Sequence, residues 1–269
     1  MQANERELAM ALRGGVRGRL RHSFHLLENA FEVLDDQMAH CVTPTEYETL
    51  RPLLAQITEQ LAALQRLGEH AADAAIAPVL HQACVPRPME LLLGQLRELS
   101  SLLNEILLQE QVQAAVQMRV AEGTQVLLTM GDDTLLNGLL ANLVSNSLAA
   151  GQPVQITLAC APGLFCYQDD GPGLPPDARA LLQEGRWSDR LLEQGGLGLP
   201  LIRAYASAMG WTLTVEDGPG TRLRFALPPC AMDLGGMLLE STADPSAARE
   251  RRRRYLQCEL HPILADKPE

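Results

Sequence analysis

The 269-residue chain is 46% hydrophobic and 20% charged with aromatics at only 4%, enough for one large domain or two small ones around aliphatic cores and outside the range of fibres and long disorder. Its 22 basic residues against 33 acidic ones give a net charge of −11, a field that repels phosphate backbones and excludes a general nucleic-acid binder. Lys267 is the sole lysine, which excludes a Walker-type phosphate loop; six cysteines without a C-x-x-C pair point to reduced thiols, and with no apolar run of roughly 18–20 residues the expectation is a cytoplasmic protein with no membrane insertion.

From Leu20 the apolar residues fall at Leu20, Phe24, Leu27, Phe31, Leu34 and Met38, the alternating steps of four and three of a coiled-coil seam. Tyr47, Leu50, Leu54, Ile57, Leu61 and Leu64 repeat the pattern behind Thr43-Pro44-Thr45-Glu46, which has the form of a capping box with proline at the first helical position. Residues 1–77 therefore read as an antiparallel helical hairpin, and two seams this regular predict a homodimer that closes a four-helix bundle. Residues 78–88, with Pro78, Pro86 and Pro88, read as a linker.

A second domain is expected over 89–229. A Leu-rich helix follows Pro88; strands are predicted at 113–120 and 125–130, a helix at 133–150, strands at 153–159 and 164–168, a glycine-rich turn, a helix from Leu199, and strands at 211–216 and 221–227. The fold class is thus α+β: a helical hairpin followed by an α/β two-layer sandwich of one sheet and one helical layer. Residues 230–269 form a polar tail with an arginine cluster at Arg249 and Arg251 to Arg254.

Three segments of the second domain carry the chemistry: NLVSNSLAAG at 142–151, QDDGPGLP at 168–175 and QGGLGLPLIR at 194–203. In this order and spacing, and with Gly220-Thr221 on the last strand, they resemble the ATP-binding domain of sensor histidine kinases and of the related gyrase, Hsp90 and MutL ATPases. The resemblance spans about residues 88 to 228 and implies ATP as cofactor together with Mg²⁺. Asn142 and Asn146 lie four apart on one predicted helix and face the same way; by resemblance Asn146 is the metal ligand, a neutral oxygen suited to a hard cation that also holds phosphates. Asp169 can accept the amino hydrogen of adenine but would oppose the carbonyl of guanine, so ATP is preferred over GTP. Gly171 and Gly173 let the backbone turn beside the base, Gly196 and Gly198 permit a mobile loop into the next helix, and Thr221 closes the set.

Asn142 stands where hydrolytic relatives carry a glutamate able to activate water, so the sequence is most similar to the histidine-kinase branch. That branch requires an acceptor histidine on an exposed helix face. His22 and His25 lie opposite the Leu20–Phe31 seam and are the candidate catalytic residues, with a response-regulator receiver domain as the implied partner. The sequence departs from the family in three ways: no basic residue follows Asn146 closely, the stretch corresponding to the family's lid is short and carries only Arg186 and Arg190, and neither histidine is followed by the usual acid, Ser23 and Leu26 standing there instead. The expected protein is a sensor-less histidine kinase of two-component signalling; the alternative is a non-catalytic ATP-binding scaffold or phosphotransfer adaptor. His40, His70, His81 and His261 show no metal-ligand spacing and read as structural.

Overall fold

The computed structural model describes residues 2–77, 81, 84–124, 128–151, 154–186, 188–189, 197–230 and 244–265. Helices α1 (Gln2–Cys41) and α2 (Pro44–Ile76) pack together as the hairpin. The turn forms for the reason its sequence suggests: the Glu46 N–H donates to the Thr43 hydroxyl at 3.4 Å while the Thr43 N–H donates to Glu46 Oε2 at 2.9 Å, a reciprocal capping box. The Tyr47 hydroxyl donates to Asp35 at 2.9 Å and ties α2 back to α1. That hydrogen bond, with burial and the adjacent carboxylate charge, pushes the Tyr47 phenol above its ordinary range.

The two seams are only partly covered within one chain. Phe24, Phe31, Tyr47, Leu50, Leu54 and Leu61 are half-buried, whereas Leu27, Leu34, Ile57 and Leu64 stay exposed, as do Leu53 and Leu67 on the same side of α2.

Strand β1 (Val85–Pro88) pairs antiparallel with β3 (Leu128–Gly131). This corrects the expectation of a linker over 78–88: its last four residues are a strand, and Pro86 and Pro88 are tolerated because β1 is an edge strand with β3 as its one strand partner among the described residues. Then come α3 (Met89–Gln109), β2 (Ala114–Val120), α4 (Asp133–Ala149), β4 (Val154–Ala161), β5 (Leu164–Asp169), α5 (Pro176–Glu184), α6 (Gly198–Ala208), β6 (Thr212–Val215) and β7 (Arg222–Ala226). The main sheet runs β2-β4-β5-β7-β6, with β2 and β4 parallel and the other pairs antiparallel.

Period-two alternation sets one face of this sheet against the helices. Register places Leu158, Tyr167 and Leu223 in one buried row and Cys160, Phe165 and Phe225 in the next. Phe165 and Phe225 stack with centroids 5.4 Å apart, and Trp211 packs beside both. All six cysteines are free, and burial pushes the Cys160 thiol up to about 12. Helix α4 starts where Asp132 accepts the N–H groups of Thr134 and Leu135, each at 2.9 Å.

Helix α7 (Pro245–Ala265) occupies most of the stretch that reads as a polar tail. Leu256 and Leu260 are fully buried in the common core. The arginine cluster is largely engaged: Arg249 pairs with Glu105 at 2.7 Å and Arg252 with Glu98 at 2.5 Å, while Arg253 donates to Gln109 at 2.9 Å, all on α3. Beyond them Glu259, 2% exposed, accepts from Arg66 Nε at 3.0 Å and lies 2.9 Å from His70 Nε2, both on α2. Burial opposes the charge on Glu259, but the His70 bond and the charges of His70 and Arg66 outweigh it and hold the carboxyl below its usual range.

Candidate active site

Asp169 is the last residue of β5, and alternation puts it on the buried face, in register with Ile156. Its Oδ1 accepts the N–H groups of Gly171 at 3.0 Å and Thr221 at 2.8 Å, while Ser147 donates its hydroxyl to Oδ2. Ser147 also lies 2.7 Å from the Tyr167 hydroxyl, whose phenol is pushed up by burial and by the Asp169 charge against the Ser147 hydrogen bond. The carboxylate is therefore fixed in direction from three sides with part of Oδ2 left over as an acceptor.

Asp169 lines a cavity of about 200 Å³. Asn146, Asp169, Gly173 and Thr221 line it, and Leu143, Leu174, Leu199, Ile202 and Leu223 supply apolar walls. Apolar walls and one anchored carboxylate suit a planar heterocycle with an exocyclic amine. Two glycines are required by geometry. Gly173 has φ +82° and a Cβ there would stand 3.1 Å from the Gly220 carbonyl oxygen; Gly220 has φ +69° and a Cβ would stand 1.9 Å from the carbonyl oxygen of Asp169. Gly171 lies against the Asp169 carboxylate through its N–H.

Asn142 is fully buried and donates to the Gly138 carbonyl at 2.8 Å, so it does not line the cavity, whereas Asn146 does. Gly198 opens α6, where a Cβ would stand 2.8 Å from Asn142 Oδ1; its part is close approach of α6 to the asparagines, in addition to any hinge. Gly196 and Arg190 lie outside the described residues. Asn142 Oδ1 and Asn146 Nδ2 are buried without a hydrogen-bond partner, and no group of three His, Cys, Asp or Glu among the described residues could hold a metal. The donor set fits Mg²⁺ if Asn146 turns its amide oxygen to it and nucleotide oxygens and water complete the shell.

His22 and His25 are both exposed on α1, and Asn29 lies 3.4 Å from His25 Nε2. They border a different cavity, between α1, α2 and α7, which shares no residue with the one around Asp169. The helical layer that covers the sheet is instead fastened to α2: Arg66 donates to Ser145 at 2.7 Å, and Tyr205 donates to Asp73. Sequence reasoning missed Ser147, though it adjoins Asn146, and missed the Arg66–His70–Glu259 group, which no local spacing announces.

Residues 131–231, from β3 past β7, match the model of the histidine kinase-, DNA gyrase B- and HSP90-like ATPase family. Among curated proteins the chain is similar to the sensor protein kinase CarS of Pseudomonas aeruginosa, with 31% identity over 223 residues. That match covers 78% of this chain and 47% of CarS, so the chain spans about half the length of this relative. Among solved structures, full-length ShkA in complex with AMPPNP shares 18% identity at a TM-score of 0.49, covering 80% of this chain and 47% of that one. The histidine kinase ThkA in complex with the response regulator TrrA shares 18% identity at a TM-score of 0.48, covering 84% of this chain and 64% of that one. No described helix is long and apolar enough to cross a membrane. With its D-x-G-x-G turn at the end of β5, its paired asparagines on α4 and Gly220-Thr221 just before β7, the segment 131–231 belongs to the histidine-kinase-like ATPase family.

Proposed function

We propose that the protein is a cytoplasmic, dimeric histidine kinase: it binds Mg²⁺ and ATP in the Asp169 cavity, transfers the γ-phosphoryl group to His22 or His25, and passes it to the aspartate of a response-regulator receiver domain in two-component signalling. The carrying observation is that one chain joins an ATPase-family cavity to a hairpin exposing two histidines on a solvated face. The likeness to CarS supports it, because that match reaches well beyond residues 131–231.

Asp169 orients the base through its free acceptor, and the apolar walls exclude water from the ring. Mg²⁺ at Asn146 would neutralise phosphate charge. At the acceptor the bond from the γ-phosphorus to its bridging oxygen breaks, an N–P bond forms on the imidazole, ADP leaves, and the ring proton goes to water, since neither Ser23 nor Leu26 can take it. Because the two cavities share no residue, the ATP-binding layer must release α2 or serve the hairpin of the second protomer.

The alternative, a non-catalytic ATP-binding scaffold or phosphotransfer adaptor, draws support from those same ties, Arg66 to Ser145 and Tyr205 to Asp73. Incubation with γ-labelled ATP and Mg²⁺ separates the two. The kinase reading expects an acid-labile, alkali-stable label that disappears in His22→Gln or in His25→Gln while ATP binding persists. ATP binding with an intact dimer and no label selects the scaffold.

A further inference from the structure

The arginines of α7 divide between two faces of the helix. Arg249, Arg252 and Arg253 point to α3 and are held by Glu105, Glu98 and Gln109. Arg251 and Arg254, with Tyr255 one step on, turn the other way. They line the cavity of about 580 Å³ whose opposite wall carries His22 and His25, with Gln65 of α2 between them.

We propose that Arg251 and Arg254 complete an oxyanion site around His22 and His25, and that its ligand is the phosphoryl group borne by one of these imidazoles. The site rests on reading one of the two histidines as the acceptor.

Charge and placement support it. Both arginines are exposed, so their guanidinium groups can reach a ligand without breaking the core. Among the described residues Arg254 pairs with the flexible intrahelical Glu250, at 3.0 Å with both side chains more than half exposed, a pairing worth little and easily exchanged. A dianionic phosphoryl group is a stronger partner for a planar guanidinium fork. Glu69 also lines the cavity but lies buried at its base. The helix cannot drift away, because Leu256, Leu260 and the Glu259 pairs anchor it. The arrangement further accounts for an acceptor without an adjacent acid: the product is stabilised by cations from a distant helix, while proton removal is left to solvent.

The test supplies the phosphoryl group without ATP. Phosphoramidate phosphorylates accessible histidines by exchanging its N–P bond for one to the imidazole with loss of ammonia, so an inactive ATP site leaves the experiment intact and the two readings fail separately. The intact protein is treated, the label is assigned with His22→Gln and His25→Gln, and the second ionisation of the phosphoryl group is followed by ³¹P resonance at low salt. Two nearby cations favour the dianion, so this ionisation is expected to rise by about half a unit or more when Arg251→Gln and Arg254→Gln are combined. Melting checks that the variant remains folded. Identical titrations in the two proteins, or no label on either histidine, overturn the proposal. Orthophosphate titrated into the unlabelled protein is the second arm: arginine-dependent binding of orthophosphate with an unchanged phosphohistidine titration would show a site for free phosphate and overturn the imidazole-borne ligand.

Discussion

Gly220 and Asp169 approach each other so closely that a Cβ on Gly220 would stand 1.9 Å from the Asp169 carbonyl oxygen. This contact lets the Thr221 N–H reach Oδ1 at 2.8 Å and the Asp169 N–H reach the Thr221 carbonyl at 3.0 Å. Gly220→Ala must break that exchange as well as strain a φ of +69°. Urea denaturation should show a loss of roughly 3 kcal/mol, with nucleotide affinity reduced at least tenfold. Gly210→Ala is the control: φ is +70° but nothing lies within 4 Å of its Cβ, so the cost is about 1–2 kcal/mol and nucleotide binding is retained.

Base selectivity rests on one acceptor. Asp169 Oδ1 is occupied by two backbone amides and Oδ2 by Ser147, which leaves Oδ2 to take an amine and nothing to donate to a carbonyl. Calorimetry should find ATP bound in preference to GTP. Asp169→Asn should weaken ATP by roughly 1.5–3 kcal/mol and narrow the difference between the two nucleotides. Equal affinities in the wild-type protein would remove the base contact.

The Glu259 carboxyl is held below its ordinary range despite burial. A carboxylate with a lowered folded-state pKa contributes stability that is present above the unfolded value and is lost as pH falls through the folded one. Unfolding free energy should therefore drop as pH is taken down through and below the usual carboxylate range. Glu259→Gln should flatten that slope and lower stability at pH 7 by about 3 kcal/mol, because Arg66 and His70 are left facing a neutral side chain. Urea unfolding across a pH series tests both, and an unchanged slope would show that other acids dominate.

The parts legible in the sequence are those whose signal is local. Alternation announces β4 and β5, and Thr43 with Glu46 announces the start of α2. The three glycine and asparagine motifs carry the site because each lies within ten residues. Ser147 escaped because a serine says nothing until register brings Tyr167 and Asp169 beside it. Helix α7 escaped for a related reason. Its first ten residues, PSAARERRRR, read as a solvated polar segment, and their partners Glu98 and Glu105 lie some 150 residues earlier; only Leu256 and Leu260, four apart, hint at a buried face. Pro86 and Pro88 argue for a linker on local grounds, and the pairing of Arg87 with Thr129 that makes a strand there is again remote.

Dimerisation is the remaining expectation, and the hairpin states its own chemistry. Leu53, Ile57, Leu64 and Leu67 follow one another at helical spacing along α2 and remain 41–55% exposed, with Leu27 and Leu34 of α1 exposed too. Helix α7 does not cover them, since it meets α2 on the face of Arg66, His70 and Glu69. A stripe of this length calls for a partner, and a second copy offers the same stripe in an antiparallel bundle. Light scattering on the full chain at tens of micromolar should return twice the monomer mass. Replacing Ile57 and Leu64 together by glutamate should yield a monomer, because each carboxylate would face apolar neighbours across the bundle. The ATP-binding layer lies apart from these positions, so nucleotide affinity should be unchanged in the monomer. A wild-type monomer would mean that the stripe is left to solvent or to another protein, and transfer between protomers would then be ruled out.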